Sequence, residues 1–105
     1  MTLVELQKLL EATGFPVAYS HFTKTMKPPF ITYLTPYTTN FLADNRVYHK
    51  IPTAQIELYT KNKEPLTESK LENVLDDAEI PYDVTSEVYI ESEKVRQIIY
   101  EINLL

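Results

Sequence analysis

Leu3, Leu6, Leu9 and Leu10 fall on one face of a helix near the start of the chain, at the three-and-four spacing of a 3.6-residue period. Thr2 and Glu5 stand at capping-box spacing, each able to satisfy an orphan N–H of the other. Gly14, the sole glycine of the protein, follows where a helix end wants a residue that reaches φ > 0 without steric cost. The period then drops to two. In FPVAYSHF, Val17, Tyr19 and His21 alternate with Ala18, Ser20 and Phe22, a strand pattern. After the polar connection TKTMKPP, FITYLT puts Ile31 and Tyr33 on one face and Phe30, Thr32 and Leu34 on the other. TAQIELYT repeats the device, with Ala54, Ile56 and Leu58 opposite Gln55, Glu57 and Tyr59. Such a split predicts a sheet with one wet side.

The helical period returns in KNKEPLTESKLENVLDDAEIP, where Leu71, Val74, Leu75 and Ala78 share a face between Pro65 and Pro81. Two strands complete the chain. In the last, Ile98, Tyr100, Ile102 and Leu104 face one way, while Ile99 and Glu101 face the other. ESEK joins the two strands without the Gly or Asn that usually marks a tight turn. The order α-β-β-β-α-β-β predicts an α+β domain: a mostly antiparallel sheet of four to five strands with two helices packed on one face.

One stretch fits none of these periods. Residues 36–50, PYTTNFLADNRVYHK, separate two predicted strands and hold three aromatics and no glycine. A segment this long is either functional or unstructured as a rule. Tyr37, Phe41 and Tyr48 can be anchors of an interface, where a ring brings much contact area at little entropy cost. The segment at about 36–50 is then a protruding arm or long hairpin that reaches a neighbouring subunit; on residue chemistry alone, a long hairpin whose aromatics fold back on the sheet weighs equally. Asp44, Asn45 and Arg46 complete the candidate interface set, with the charged pair suited to a rim that fixes register.

Length and composition narrow the setting. A chain of 105 residues makes one domain, and its apolar and charged shares are those of a globular protein. A net charge of −5 with scattered basic residues argues against nucleic acid, whose binding needs clustered Lys and Arg. The absence of cysteine excludes disulfides and thiolate metal sites. The N-terminal residues lack the basic lead of a signal peptide, and no apolar run is long enough to span a bilayer. These features predict that the protein is made and works in a reducing, aqueous compartment, with no membrane partner, unless it is carried out on something larger.

The catalytic inventory is thin. His21 and His49 are the only histidines, and a His in an alternating strand acts as a base only where a partner orients it. Asp44 with Asn45, and Asp76 with Asp77, are weak magnesium candidates without a phosphate-binding backbone. One glycine at a helix end cannot build a phosphate cradle, and Ser20, Ser69, Ser86 and Ser92 lack a nucleophile elbow. The expectation is a non-enzyme without metal or cofactor.

In order along the chain, PPFITYL, NFLADNRVY, QIELYT, LENVLDDAEIPY and YIESEKVRQIIYEI resemble small proteins of long-tailed bacteriophages and of prophages of Gram-positive bacteria. The group is that of the tail terminators, or tail-completion and head-to-tail joining proteins. The resemblance runs over residues 2–104, and NFLADNRVY between two strands is its most specific part. It implies a small α+β protein made in the host cytoplasm that assembles as a ring, commonly hexameric, at the head-proximal end of the tail. The ring would cap the tail tube, end its polymerisation and offer a surface to the head connector. The alternatives are another small connector protein of the same gene clusters, or a stand-alone protein-binding module.

Overall fold

The computed structural model describes residues 1–43 and 46–104, and their side chains except those of residues 36–51. The first helix, α1 (Leu3–Glu11), starts as its cap demands: Thr2 Oγ1 accepts the Glu5 N–H at 3.1 Å and Glu5 Oε1 accepts the Thr2 N–H at 3.3 Å. Leu6 and Leu10 are fully buried, and Leu9 packs on the edge of the core. The helix stops sooner than the glycine suggests. Thr13 Oγ1 donates to the Leu10 carbonyl and accepts the Phe15 N–H, and Gly14 then reverses the chain at φ +86°.

Strand β1 (Val17–Tyr19) is much shorter than the alternation over residues 15–22 predicts. Ser20 takes the left-handed conformation, φ 66°, and turns the chain out of the sheet, so His21 and Phe22 lie in no strand. The long strands β2 (Phe30–Ala43) and β3 (Arg46–Thr60) follow, then α2 (Pro65–Asp77), β4 (Asp83–Ile90) and β5 (Val95–Asn103). The sheet order is β1-β2-β3-β5-β4, with β1 parallel to β2 and every other pair antiparallel. Helix α2 therefore carries the chain from β3 to the parallel strand β4, with β5 between them. Element order, two helices and a mostly antiparallel sheet agree with the sequence pattern.

Both helices cover the face formed by Ile31, Tyr33, Ala54, Ile56, Leu58, Ile98, Tyr100 and Ile102, and Leu71 and Leu75 of α2 are fully buried there. Val74 is only half-buried and Ala78 is exposed, so the buried line of α2 is narrower than its periodicity predicts. Helix α2 ends in a Schellman motif: the Ile80 N–H bonds the Leu75 carbonyl at 2.9 Å and the Glu79 N–H bonds that of Asp76 at 2.9 Å. Glu79 sits at φ 57° in the place glycine usually takes, and Lys94 does the same at φ 55° in the 91–94 turn.

The second face of the sheet is less wet than expected. Thr32, Glu57 and Val95 on that face are buried. Phe22 packs edge-on against Phe30, and Phe30 stacks on Tyr59 with ring centres 4.7 Å apart. The chain after β1 thus folds back over one end of this face. The molecule measures 48 × 29 × 25 Å, with a radius of gyration of 14.7 Å. A compact chain of this length would have a radius of gyration of about 13 Å. It is an elongated particle.

Candidate functional site

What lengthens the molecule is the β2–β3 pair. Pairing of β3 with β5 begins at Thr53↔Asn103, and the Leu104 N–H reaches the Pro52 carbonyl at 2.9 Å. Pairing of β1 with β2 covers only Ile31, Thr32 and Tyr33. From Thr38↔Pro52 out to Ala43↔Arg46, β2 and β3 pair only with each other. At about 3.3 Å per residue this two-stranded ribbon reaches about 15–20 Å past the sheet. Its base is marked by a register shift between Leu34 and Tyr37, and Pro36 falls within it. Proline has no N–H to give a ladder, so a bulge is where a strand tolerates it.

The candidate interface residues divide accordingly. Tyr37 pairs with Thr53 at the base, Phe41 with His49, and Arg46 with Ala43 near the end. Tyr48 is the extra residue of a second register shift, between Phe41↔His49 and Leu42↔Val47. Asp44 and Asn45 lie outside the described residues, as do the side chains of Tyr37, Phe41, Arg46, Tyr48 and His49. The sequence pattern ended the flanking strands at residues 35 and 53; the backbone carries them on through the segment that matched no period.

A second feature went unnoticed in the sequence. On the face away from the helices, Glu57 accepts a hydrogen bond from Thr32 Oγ1 at 2.9 Å and another from Gln97 Nε2 at 2.9 Å. Gln97 also donates to the Tyr59 hydroxyl at 2.9 Å. Glu57 is 8% exposed, and these donors make its burial tolerable. Burial first, and the Glu57 charge second, raise the pKa of the Tyr59 hydroxyl. The signal was in the alternation: Thr32 and Glu57 are opposite one another across β2 and β3, and Gln97 is one strand further on.

Beside this network lies an open groove of about 460 Å³, walled by Phe22, Met26, Phe30, Tyr59 and Val95 with Lys24 and Glu93 at its rim. His21 borders it, exposed, with Nδ1 3.3 Å from Ser20 Oγ and no carboxylate partner among the described residues. Asp76 and Asp77 are exposed at the end of α2, and among the described residues no three His, Asp or Glu side chains are grouped to hold a metal ion.

Charge pairs tie α2 to β4. Lys63 Nζ lies 3.0 Å from Glu68 and 3.0 Å from Glu87, and Arg96 approaches Glu87 at 3.5 Å. The hydrogen bonds to Glu68 and Glu87 hold the Lys63 ammonium above its ordinary range. Glu72 of the same helix receives the Tyr100 hydroxyl at 2.8 Å and the Tyr82 hydroxyl at 3.4 Å. These contacts tie α2 to β4 and β5.

No protein-family model matches the chain, and no curated protein matches it. Among solved structures, a chain of the virion of a native gene transfer agent (GTA) particle is similar, with a TM-score of 0.56 and 10% sequence identity. The superposition covers 90% of this chain and 82% of that one. At this identity the likeness establishes a shared fold.

Proposed function

We propose that the protein is a structural, non-catalytic component of a phage-like virion: a tail terminator at the head-proximal end of the tail. Its copies form a homo-oligomeric ring that caps the tail tube, ends tube growth and offers the surface to which the head connector joins. The observation that carries this reading is the fold shared over nearly the whole chain with a chain of a gene transfer agent virion. The tail-terminator motifs of the sequence point the same way.

The ribbon gives the proposal its physical content. A two-stranded hairpin is marginally stable alone in water, so a ribbon of this length calls for a second surface. That surface is a neighbouring subunit or the tail tube. Phe41 and Tyr48 are the anchors, Tyr37 supports the base, and Asp44, Asn45 and Arg46 form the polar rim. A ring interface is heterologous, so each patch meets a different patch on the next copy, and closure fixes the number of copies.

The test uses the full chain and the double variant Phe41→Ala, Tyr48→Ala. Light scattering coupled to size exclusion should show a closed oligomer for the unmodified chain, and negative-stain microscopy should show it at one end of tail tubes. The variant should keep its far-UV circular dichroism and lose ring formation or capping. Unfolding of the variant would assign these rings to the core and refute the interface reading. A chain that stays monomeric and leaves tube ends bare would favour a stand-alone binding module.

A further inference from the structure

Phe30, Leu34, Tyr37 and Phe41 follow one another along β2 at intervals of four, three and four residues. A regular strand would divide them between its two faces, because residues share a face only at even spacing. The register shift after Leu34 removes the conflict. Leu34 pairs with Gln55 and Tyr37 with Thr53, so three steps along β2 match two along β3. By register, Tyr37 therefore joins Leu34 on the face of Gln55, Glu57 and Tyr59. Thr39 and Phe41 follow it there, opposite Ile51 and His49, while Thr38, Asn40, Lys50 and Pro52 belong to the other face of the ribbon.

This is the side that the helices leave bare. On the sheet it carries Phe30, Leu34, Tyr59 and Ile99, all half-buried, and Val88 of the outermost strand, 45% exposed. A row of apolar positions thus runs from the Phe30–Tyr59 stack out along the ribbon, roughly 30–35 Å at about 3.3 Å per residue. That is most of the 48 Å long axis of the molecule. Among the described residues both helices pack on the opposite face, and residues 20–29 fold over the Phe30 end. From strand spacing and rise, sheet and ribbon together offer on the order of 700 Å² on this side, close to what each partner gives to a standard protein–protein interface. A surface of that extent fits a folded protein of this chain's own dimensions, and in a ring of identical copies that protein is the next copy.

We infer that a second copy of this chain seats on the helix-free side, sheet and ribbon together, with Leu34, Tyr37, Phe41 and Ile51 as the central row. This rests on the ring reading and deepens it: of the two faces of the ribbon, it assigns one to the neighbouring copy and extends that contact onto the sheet. The extra residue at the Pro36 shift is what aligns the row. Contacts in a closed ring are heterologous, so the neighbour meets this side with a different surface of its own.

The experiment compares single lysine substitutions in the full chain. Thr39→Lys falls on the row and Asn40→Lys on the other face of the same ribbon, so the two share a charge change and a location and differ in face. Leu34→Lys probes the sheet end of the row, and Gln55→Lys replaces it if circular dichroism shows that Leu34→Lys is unfolded. Sedimentation velocity over a concentration series should show Thr39→Lys and Leu34→Lys half-assembled only at a concentration at least about tenfold above that of the unmodified chain, with Asn40→Lys unchanged. Equal behaviour of Thr39→Lys and Asn40→Lys, or a sheet-end variant that assembles like the unmodified chain, overturns the inference while leaving the ring intact. Variants on the row that still form rings but no longer cap tail tubes overturn it as well, by assigning this side to the tube. An unmodified chain that is monomeric throughout overturns both the ring reading and this one.

Discussion

Replacing Tyr100 by Phe tests whether the hydroxyl bond between sheet and helix matters as the geometry says. The Tyr100 ring is fully buried, edge-on to Tyr82 at 5.7 Å, and its hydroxyl donates to Glu72 Oε2 at 2.8 Å. Phenylalanine keeps the ring and opens no sizeable cavity, so the change isolates the hydrogen bond. A bond to a charged acceptor contributes about 1.5–3 kcal/mol, and Glu72 retains only the longer contact from Tyr82. At pH 8 the variant should therefore be about 1.5–3 kcal/mol less stable in urea unfolding followed by circular dichroism. The pH dependence gives a sharper test. Burial, and then the hydrogen bond to Glu72, push the folded Tyr100 hydroxyl far above its ordinary value of 10.0. Above pH 10 the unfolded chain loses this proton while the folded one keeps it, so the folded state binds more protons and stability falls as pH rises. The loss is about 1.4 kcal/mol per pH unit for one such group. The variant lacks this group, while the raised hydroxyls of Tyr33 and Tyr59, which do not share Glu72, act on both proteins alike. The stability gap should thus shrink by about 1 kcal/mol between pH 10 and pH 11, since the unfolded group is already half ionised at pH 10. A gap that stays constant across that interval would refute the assignment of Tyr100 as a neutral, buried donor.

Leu75→Ala should cost about 2–5 kcal/mol through lost transfer energy and a cavity, because Leu75 is fully buried between α2 and the sheet; a near-neutral result in urea unfolding would show the helix to be wrongly placed. Glu79→Gly should stabilise the fold by about 0.5–1 kcal/mol, since the left-handed C′ position of α2 strains any residue with a Cβ; a fall in melting temperature would contradict the Schellman geometry. EDTA, or joint replacement of His21 and His49 by Gln, should leave folding and assembly unchanged by circular dichroism and light scattering, and an oligomer lost to EDTA and restored by one divalent ion would overturn the metal-free reading.

The parts of this fold that could be read from the sequence are those where one local rule acts alone. The capping box of α1, the alternation in FITYLT and TAQIELYT, and the proline at the start of α2 each gave an element and its buried face. The rules failed where tertiary context decides. Alternation continues through Ser20, His21 and Phe22, but one left-handed residue at Ser20 ends β1, and serine gives no warning of that. Glu79 and Lys94 take positions that sequence rules assign to glycine, because the Schellman bonds at the end of α2 hold the one and the β4–β5 pairing holds the other.

The candidate site shows the same division more sharply. Residues 36–50 were conspicuous for their aromatics and lack of glycine, and that composition alone kept open both an interface arm and a hairpin folded on the sheet. Periodicity could not show that β2 and β3 run on through them, because a ribbon with no third strand has no single buried face to impose alternation.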